Sequence, residues 1–353
     1  AKLRKVKKSF AEGKTENILE SSPERTEAKC KYFGVCGGCK QQDLMYNSQI
    51  KYKEMQVKEV FEHLGGLQNF ESEKIISSEK IFYYRNKMEF SFSNQRWLTD
   101  TELNSGEFIE DKHFALGLHI PRQFEKVLDI DVCYLQSEIS AEILNFTRSF
   151  FKQRDATIYS TKTHSGYLRN LVIKQAHKTD DLMVNLVTSE EKPDLVQKYS
   201  DELIERFPKI TTIINNINLK KAQVAIGDYE KTYFGDGVIY DYIGKYKFRI
   251  SANSFFQTNT LQAENLYETA KDFAGFKGDE IVYDLYSGAG TIAIYVSDSV
   301  KKVIGFERVK PAVKDAVTNV KLNEIENCRF YTADLNRSFL PIVEHKKIAK
   351  PDV

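Results

Sequence analysis

No apolar run in these 353 residues approaches the about 20 needed to span a bilayer as a helix. The basic N-terminus has no apolar segment behind it, so the pattern of an export signal is missing. Charge imbalance is nearly absent as well, with 51 Lys and Arg against 50 Asp and Glu. Any nucleic-acid footprint must therefore be local. Five cysteines are too few and too oddly spaced for a disulfide scaffold. Internal repeats and low-complexity tracts are lacking. Together these absences predict a cytoplasmic enzyme of two or three domains, with no membrane partner and an ordinary share of apolar residues for a core.

The cysteines that are present carry more information. Cys30, Cys36 and Cys39 form a C-x5-C-x2-C run in AKCKYFGVCGGCKQQ, and Cys133 follows much later in VLDIDVCYLQ. Three thiols together plus a distant fourth suit an iron–sulfur cluster or, less well, zinc. Zinc sites usually come as paired knuckles, and here there is no second knuckle and no histidine near the first three thiols. Gly34, Gly37 and Gly38 allow the tight turns that such a site needs. Buried structural thiols are the plainer alternative, disfavoured by three within ten residues.

Two local basic features stand out. Lys2, Arg4, Lys5, Lys7 and Lys8 crowd AKLRKVKK, a run that on its own reads as solvated chain. IFYYRNKMEFSFS is more specific, since Tyr83, Tyr84, Arg85, Lys87, Phe90 and Phe92 mix charge for phosphates with rings for stacking. Met88, Phe90 and Phe92 alternate with polar residues, so the same stretch predicts an amphipathic strand. One face would be buried and the other would meet RNA.

Along the chain, residues 1–29 read as the end of a small domain, with a strand-like stretch at 15–19. Residues 47–64 predict an amphipathic helix with Ile50, Val57, Phe61 and Leu64 on one face, stopped by Gly65 and Gly66. Residues 30–245 form a mixed, strand-rich central domain interrupted by helices near 136–152 and 193–206. From 246 to 353 the pattern changes. A helix over LQAENLYETAKDFA, capped by Asn259 or Thr260, precedes strands in EIVYDLYSG, KKVIGFERV and CRFYTADL with helices between them. Strands alternating with helices at this pace predict an α/β parallel sheet of the doubly wound kind.

The turn after the first of these strands carries ligand chemistry. Asp284 ends the strand, and Gly288 and Gly290 let the backbone approach a nucleoside. Glu307 ends the second strand, where an acid binds ribose hydroxyls, and Asp334 ends the third, within reach of an adenine edge. The turn S-G-A-G-T lacks the third glycine of a dinucleotide site. D-L-Y-S-G-A-G is closer to the motif of S-adenosylmethionine methyltransferases.

CKYFGVCGGCKQQ, YRNKMEFSFS, LGLHIPRQFEKVLDIDVCYLQ, ISANSFFQTNTLQAE and VYDLYSGAGTIAI occur in this order. Together they resemble the RNA (uracil-5-)-methyltransferases, in the iron–sulfur branch that mostly modifies 23S ribosomal RNA. The resemblance spans essentially the whole chain. It implies a [4Fe–4S] cluster on Cys30, Cys36, Cys39 and Cys133, and a remnant of an N-terminal TRAM-type RNA-binding barrel in residues 1–29. It further implies a helix at 47–64 that packs back on a Rossmann-like catalytic domain. Gln257, Tyr286 and Glu307 match the family's S-adenosylmethionine contacts. Phe255 matches a position near the target base, with core packing as the alternative, and Arg85 and Lys87 fall in the RNA-facing strand.

In such enzymes a cysteine thiolate adds to uracil C6, C5 takes the methyl group, and a base removes the C5 proton. The nucleophile's S-C-N-P-like turn and the D-P-P-R strand are both missing from this sequence. Cys328, the remaining cysteine, reads as a structural thiol. The expectation is thus a chain truncated before its catalytic cysteine, inactive as it stands, monomeric, binding RNA and the cofactor. The alternatives are a transfer-RNA methyltransferase and a non-catalytic, cluster-bearing RNA-binding module.

Overall fold

The computed structural model describes residues 2–106, 112–222, 224–337 and 339–353. The chain divides into two compact units, Ala1–Gly34 with Cys39–Ser77, and Val35–Gly38 with Ser78–Val353.

In the first unit, β1 (Lys2–Val6) and β2 (Ala11–Lys14) form an antiparallel pair. The strand expected at residues 15–19 is not there; the basic run itself is β1. Lysines alternating with Leu3 and Val6 suit a strand as well as a solvated tail, and only the hairpin return through β2 decides between them. Helix α1 (Tyr46–His63) matches the predicted helix within a residue. On its apolar face Val57 and Phe61 are about half exposed and Leu64 is 83% exposed. Gly66, at φ 65°, follows its end.

The second unit contains β3 (Lys87–Ser93), α2 (Asp100–Asn104), β4 (Ala115–Ile120), β5 (Gln123–Asp129), α3 (Glu138–Lys152), β6 (Leu168–Gln175), β7 (Leu182–Thr188), α4 (Pro193–Arg206), β8 (Thr212–Ile217) and β9 (Tyr229–Phe234). Its strands make one seven-stranded sheet in the order β5-β4-β3-β6-β7-β8-β9, antiparallel except between β7 and β8. That parallel pair needs a crossover, which α4 supplies.

As expected, Met88, Phe90 and Phe92 are buried on one face of β3. The Phe92 ring meets Phe151 of α3 edge-on at 6.1 Å. The opposite face of β3 is less open than the alternation predicts, because Ser91 and Ser93 are buried too. Ser93 Oγ donates to Glu125 O, and Ser91 Oγ pairs with His119 Nε2 and Asn170 Nδ2. Only Lys87 and Glu89, which pair with each other, reach solvent from that face.

A hairpin of β10 (Val238–Ile243) and β11 (Tyr246–Ser251) follows. Six register pairs join the two strands. After it come α5 (Thr260–Ala274), β12 (Ile281–Leu285), α6 (Thr291–Val296), β13 (Lys302–Glu307), α7 (Lys310–Leu322), β14 (Cys328–Thr332) and α8 (Leu340–His345). β12, β13 and β14 are parallel in that order, as the alternating pattern predicts. Asn259 caps α5, its side chain accepting the Gln262 amide at 3.2 Å, and Gly275 closes it in the left-handed region. Pro311 lies in the first turn of α7. At the outer edge of β12, Tyr283 N donates to Val353 O and Asp352 N to Ile281 O.

Candidate functional site

β12 ends in a turn that the sequence makes unusually tight. Tyr286, Gly288 and Gly290 all have positive φ, at 63°, 54° and 77°. The two glycines serve different ends. A Cβ on Gly288 would meet nothing within 4 Å, so the space over it is open to a ligand. A Cβ on Gly290 would lie 2.6 Å from Phe330 Cζ and 3.0 Å from Ala316 Cβ, so its bareness lets α6 pack against β14 and α7. Gly305 on β13 presses on the same Phe330 ring and on Ser287. Sequence reading missed Gly305, which sits in an ordinary apolar strand pattern.

Two carboxylates frame the turn. Glu307, the last residue of β13, accepts the Gly288 amide through Oε2 at 3.1 Å and the Val309 amide through Oε1 at 2.7 Å. Each oxygen keeps lone-pair capacity for a hydroxyl. Asp284 accepts the Ala293 amide of α6 at 3.2 Å. Burial chiefly, then the nearby Glu307 charge, pushes its carboxyl up to about 6 against the pull of that hydrogen bond. Ser287 Oγ is buried beside them with no hydrogen-bond partner. Tyr286 is 67% exposed at the rim. Asp334 lies two residues past β14, half-buried, and accepts the Asn336 amide at 3.2 Å.

The loop between β11 and α5, residues 252–259, brings in Gln257. Its side chain lies near enough to Tyr267 of α5 to act on that phenol. The Tyr267 hydroxyl is in turn 2.8 Å from Thr291 Oγ1 in the first turn of α6. Gln257 is thus joined to the glycine turn through two side chains. Phe256 packs inward, 5.9 Å from the Phe248 ring, while Phe255 is 67% exposed. The core-packing alternative for Phe255 therefore falls away. Arg85 and Lys87 are half-buried at the entry to β3, where the Arg85 guanidinium donates to Lys87 O.

This arrangement fits a nucleoside cofactor: an open glycine step, a carboxylate at a strand end, an orphaned hydroxyl and an exposed ring. A nucleophile is not among its parts. Cys328 is buried, its Sγ 3.6 Å from Ala293 O, and burial pushes the thiol up to about 12. Such a thiol carries almost no thiolate at neutral pH.

The cysteine knuckle lies in consecutive turns. Cys30, Cys36, Cys39 and Cys133 are half-buried, and none is half of a disulfide. The Gly38 amide donates to Cys36 Sγ at 3.4 Å, and Cys30 N donates to Gln42 at 3.1 Å. Burial and, more weakly, the Cys39 charge raise the Cys30 thiol. Val35–Gly38 docks on the β4–β5 hairpin: Gly37 N donates to His119 O, where a Cβ would come within 2.8 Å of that oxygen. Among the described residues, no three His, Cys, Asp or Glu side chains are gathered closely enough to hold a metal ion. Nor is any described helix long and apolar enough to cross a membrane.

Comparison with known proteins bears on the same segments. A family model described as tRNA (Uracil-5-)-methyltransferase matches residues 229–336. An uncharacterized RNA methyltransferase of Chlorobaculum tepidum is 41% identical over 354 residues, covering 100% of this chain and 73% of the relative. One from Porphyromonas gingivalis is 41% identical over 336 residues, covering 94% of this chain and 72% of the relative. Among solved structures, the Pyrococcus abyssi tRNA (uracil-54, C5)-methyltransferase in complex with S-adenosyl-L-homocysteine aligns at TM-score 0.72 and 26% identity. That alignment covers 96% of this chain and 72% of the other. With the glycine turn, its carboxylates and the parallel strands behind them, these matches settle the family: the chain belongs to the RNA (uracil-5-)-methyltransferases.

Proposed function

We propose that the protein methylates C5 of a uridine in 23S ribosomal RNA, with S-adenosylmethionine as methyl donor. The observation that carries the cofactor assignment is the open, positive-φ Gly288 step, whose amide is held by Glu307. When bound, the cofactor supplies an electrophilic methyl group. Glu307 takes the ribose hydroxyls, Tyr286 and Asp334 flank the adenine, and Gly288 and Gly290 permit the close approach. Asp284 and Gln257 orient the remainder. Phe255, exposed beside Gln257, stacks on the flipped base, and Arg85 and Lys87 meet the RNA backbone.

Addition to C6 requires a thiolate, and Cys328 is buried and far too basic for that role. No other cysteine of this sequence stands in an S-C-N-P-like turn. The adduct is therefore not assigned to Cys328. The four cysteines would hold a [4Fe–4S] cluster with a structural role, which iron and sulfide analysis of anaerobically purified protein tests. The protein is proposed to act as a monomer.

A second reading, methylation of transfer RNA, is favoured by the aligned tRNA (uracil-54, C5) enzyme and by the matched family's description. Methyl transfer by the intact cellular protein to purified 23S rRNA and to tRNA separately decides between them. Label in tRNA with silent 23S rRNA would overturn the ribosomal assignment.

A further inference from the structure

A lysine that the proposed chemistry does not use lies beneath the loop that does the positioning. Lys174 of β6 is 3% exposed. Its Nζ donates to Ser251 O at 2.7 Å and to Ser254 O at 2.9 Å. Asn216 of β8 and Asn86, just before β3, hold the loop further along. Asn216 Nδ2 donates to Asn253 Oδ1 at 2.7 Å. Asn86 Nδ2 donates to Gln257 O at 2.7 Å and to Thr260 Oγ1 at 2.9 Å, while Asn86 N donates to Thr258 O at 2.8 Å. Between these anchors Phe255 projects outward and Gln257 turns to Tyr267. The Lys174 amine also lines a cavity of about 10 Å³ with Asn86, Gln175 and Phe256, close to the room of a single water.

We propose that Lys174 is a positioning residue of the methyl-transfer site, its amine fixing the backbone of residues 251–254 so that Phe255 and Gln257 face base and cofactor. This rests on the cofactor and substrate reading above. A purely structural role would be met by any group that satisfies the two carbonyls. Lysine adds a charge, and that charge depends on pH. Burial pulls its pKa down to about 7, helped by Lys87 of β3 opposite it and resisted by Glu230 of β9, Glu89 of β3 and Asp315 of α7. Below that pH the ammonium makes charge-assisted bonds to both carbonyls; above it the amine is neutral and holds them less firmly.

The test uses the parent, Lys174→Met and Lys174→Arg, with calorimetric S-adenosylhomocysteine binding at pH 6 and pH 8 and amide hydrogen exchange. The parent should bind more tightly at pH 6. Lys174→Met should bind at least tenfold more weakly at pH 6, show a smaller pH step than the parent, and exchange faster in residues 251–259 but not in β12–β14. Lys174→Arg, charged throughout, should keep the pH 6 affinity and also show a smaller step, the remainder belonging to Asp284. Unchanged affinity in Lys174→Met, uniformly faster exchange, or a pH step in Lys174→Arg as large as the parent's would overturn the proposal. Should Lys174→Met fail to fold, the arginine variant alone decides. If the parent binds no S-adenosylhomocysteine, the cofactor reading fails, and exchange in 251–259 alone then decides whether the lysine clamps the loop.

Discussion

Gly288 and Gly290 stand two residues apart with the same backbone hand, yet alanine should harm the protein differently at each. At both positions a side chain in the left-handed region costs about 1–2 kcal/mol. Part of this is offset by the stiffer unfolded chain, by about 0.4–1 kcal/mol. At Gly288 nothing more is added, because the new methyl meets open space. At Gly290 the methyl drives into Phe330 and Ala316, and overpacking of this kind adds about 1–3 kcal/mol. Urea unfolding should therefore place Gly288→Ala within about 1 kcal/mol of the parent and Gly290→Ala about 2–4 kcal/mol below it. Calorimetric binding of S-adenosylhomocysteine should run the other way, with Gly288→Ala losing at least tenfold, about 1.4 kcal/mol. Adding Phe330→Leu should restore part of the stability lost in Gly290→Ala and none of the affinity lost in Gly288→Ala. Equal stability losses at the two glycines, or undiminished ligand affinity in Gly288→Ala, would refute the division of labour argued from the turn.

Other consequences are equally open to measurement. Asp284 titrates near 6 in the folded protein, above its ordinary 3.8, so folding takes up a proton between those values. The stability that Asp284 contributes should fall by about 3 kcal/mol as pH rises from 4 to 6. Asp284→Asn should flatten that slope in pH-dependent urea titrations. Asn259→Ala removes the side-chain acceptor at the start of α5 and should cost about 1 kcal/mol by the same assay. Cys36→Ser should abolish iron incorporation and weaken RNA binding in a filter assay; unchanged RNA affinity without iron would end the structural role proposed for the cluster.

The parallel strands and their helices were legible because local signals there agree with the packing. Asn259 caps, Gly275 stops, Pro311 opens a helix, and the apolar runs are central to a sheet covered on both sides. β9 left no such trace. It is an edge strand of mostly exposed residues, and YEKTYF alternates without a buried face. In α1, spacing reports an apolar stripe but not whether anything covers it. The site divided in the same way. The glycine turn and Glu307 announce themselves by residue type, whereas Lys174 is hidden in LRNLVIK, where a lysine at a strand's end reads as solvent-facing. Only the loop folding over it, from residues more than seventy positions later, makes it buried.

The β10–β11 hairpin has a consequence for how the second unit responds to ligand. Met183 and Ile214 of the seven-stranded sheet share one apolar cluster with Ile239, Phe248 and Ile250 of the hairpin, and with Val282 and Val303 of the parallel sheet. Together with the polar contacts of Lys174, Asn86 and Asn216, this cluster ties the sheet that would face RNA to the sheet that would hold the cofactor. The two must then melt as one cooperative body, and a nucleoside bound over Gly288 at a hundred times its dissociation constant protects both by about 2.7 kcal/mol. Occupancy at the glycine turn is in this way felt by β3, which carries the basic residues proposed to meet the RNA.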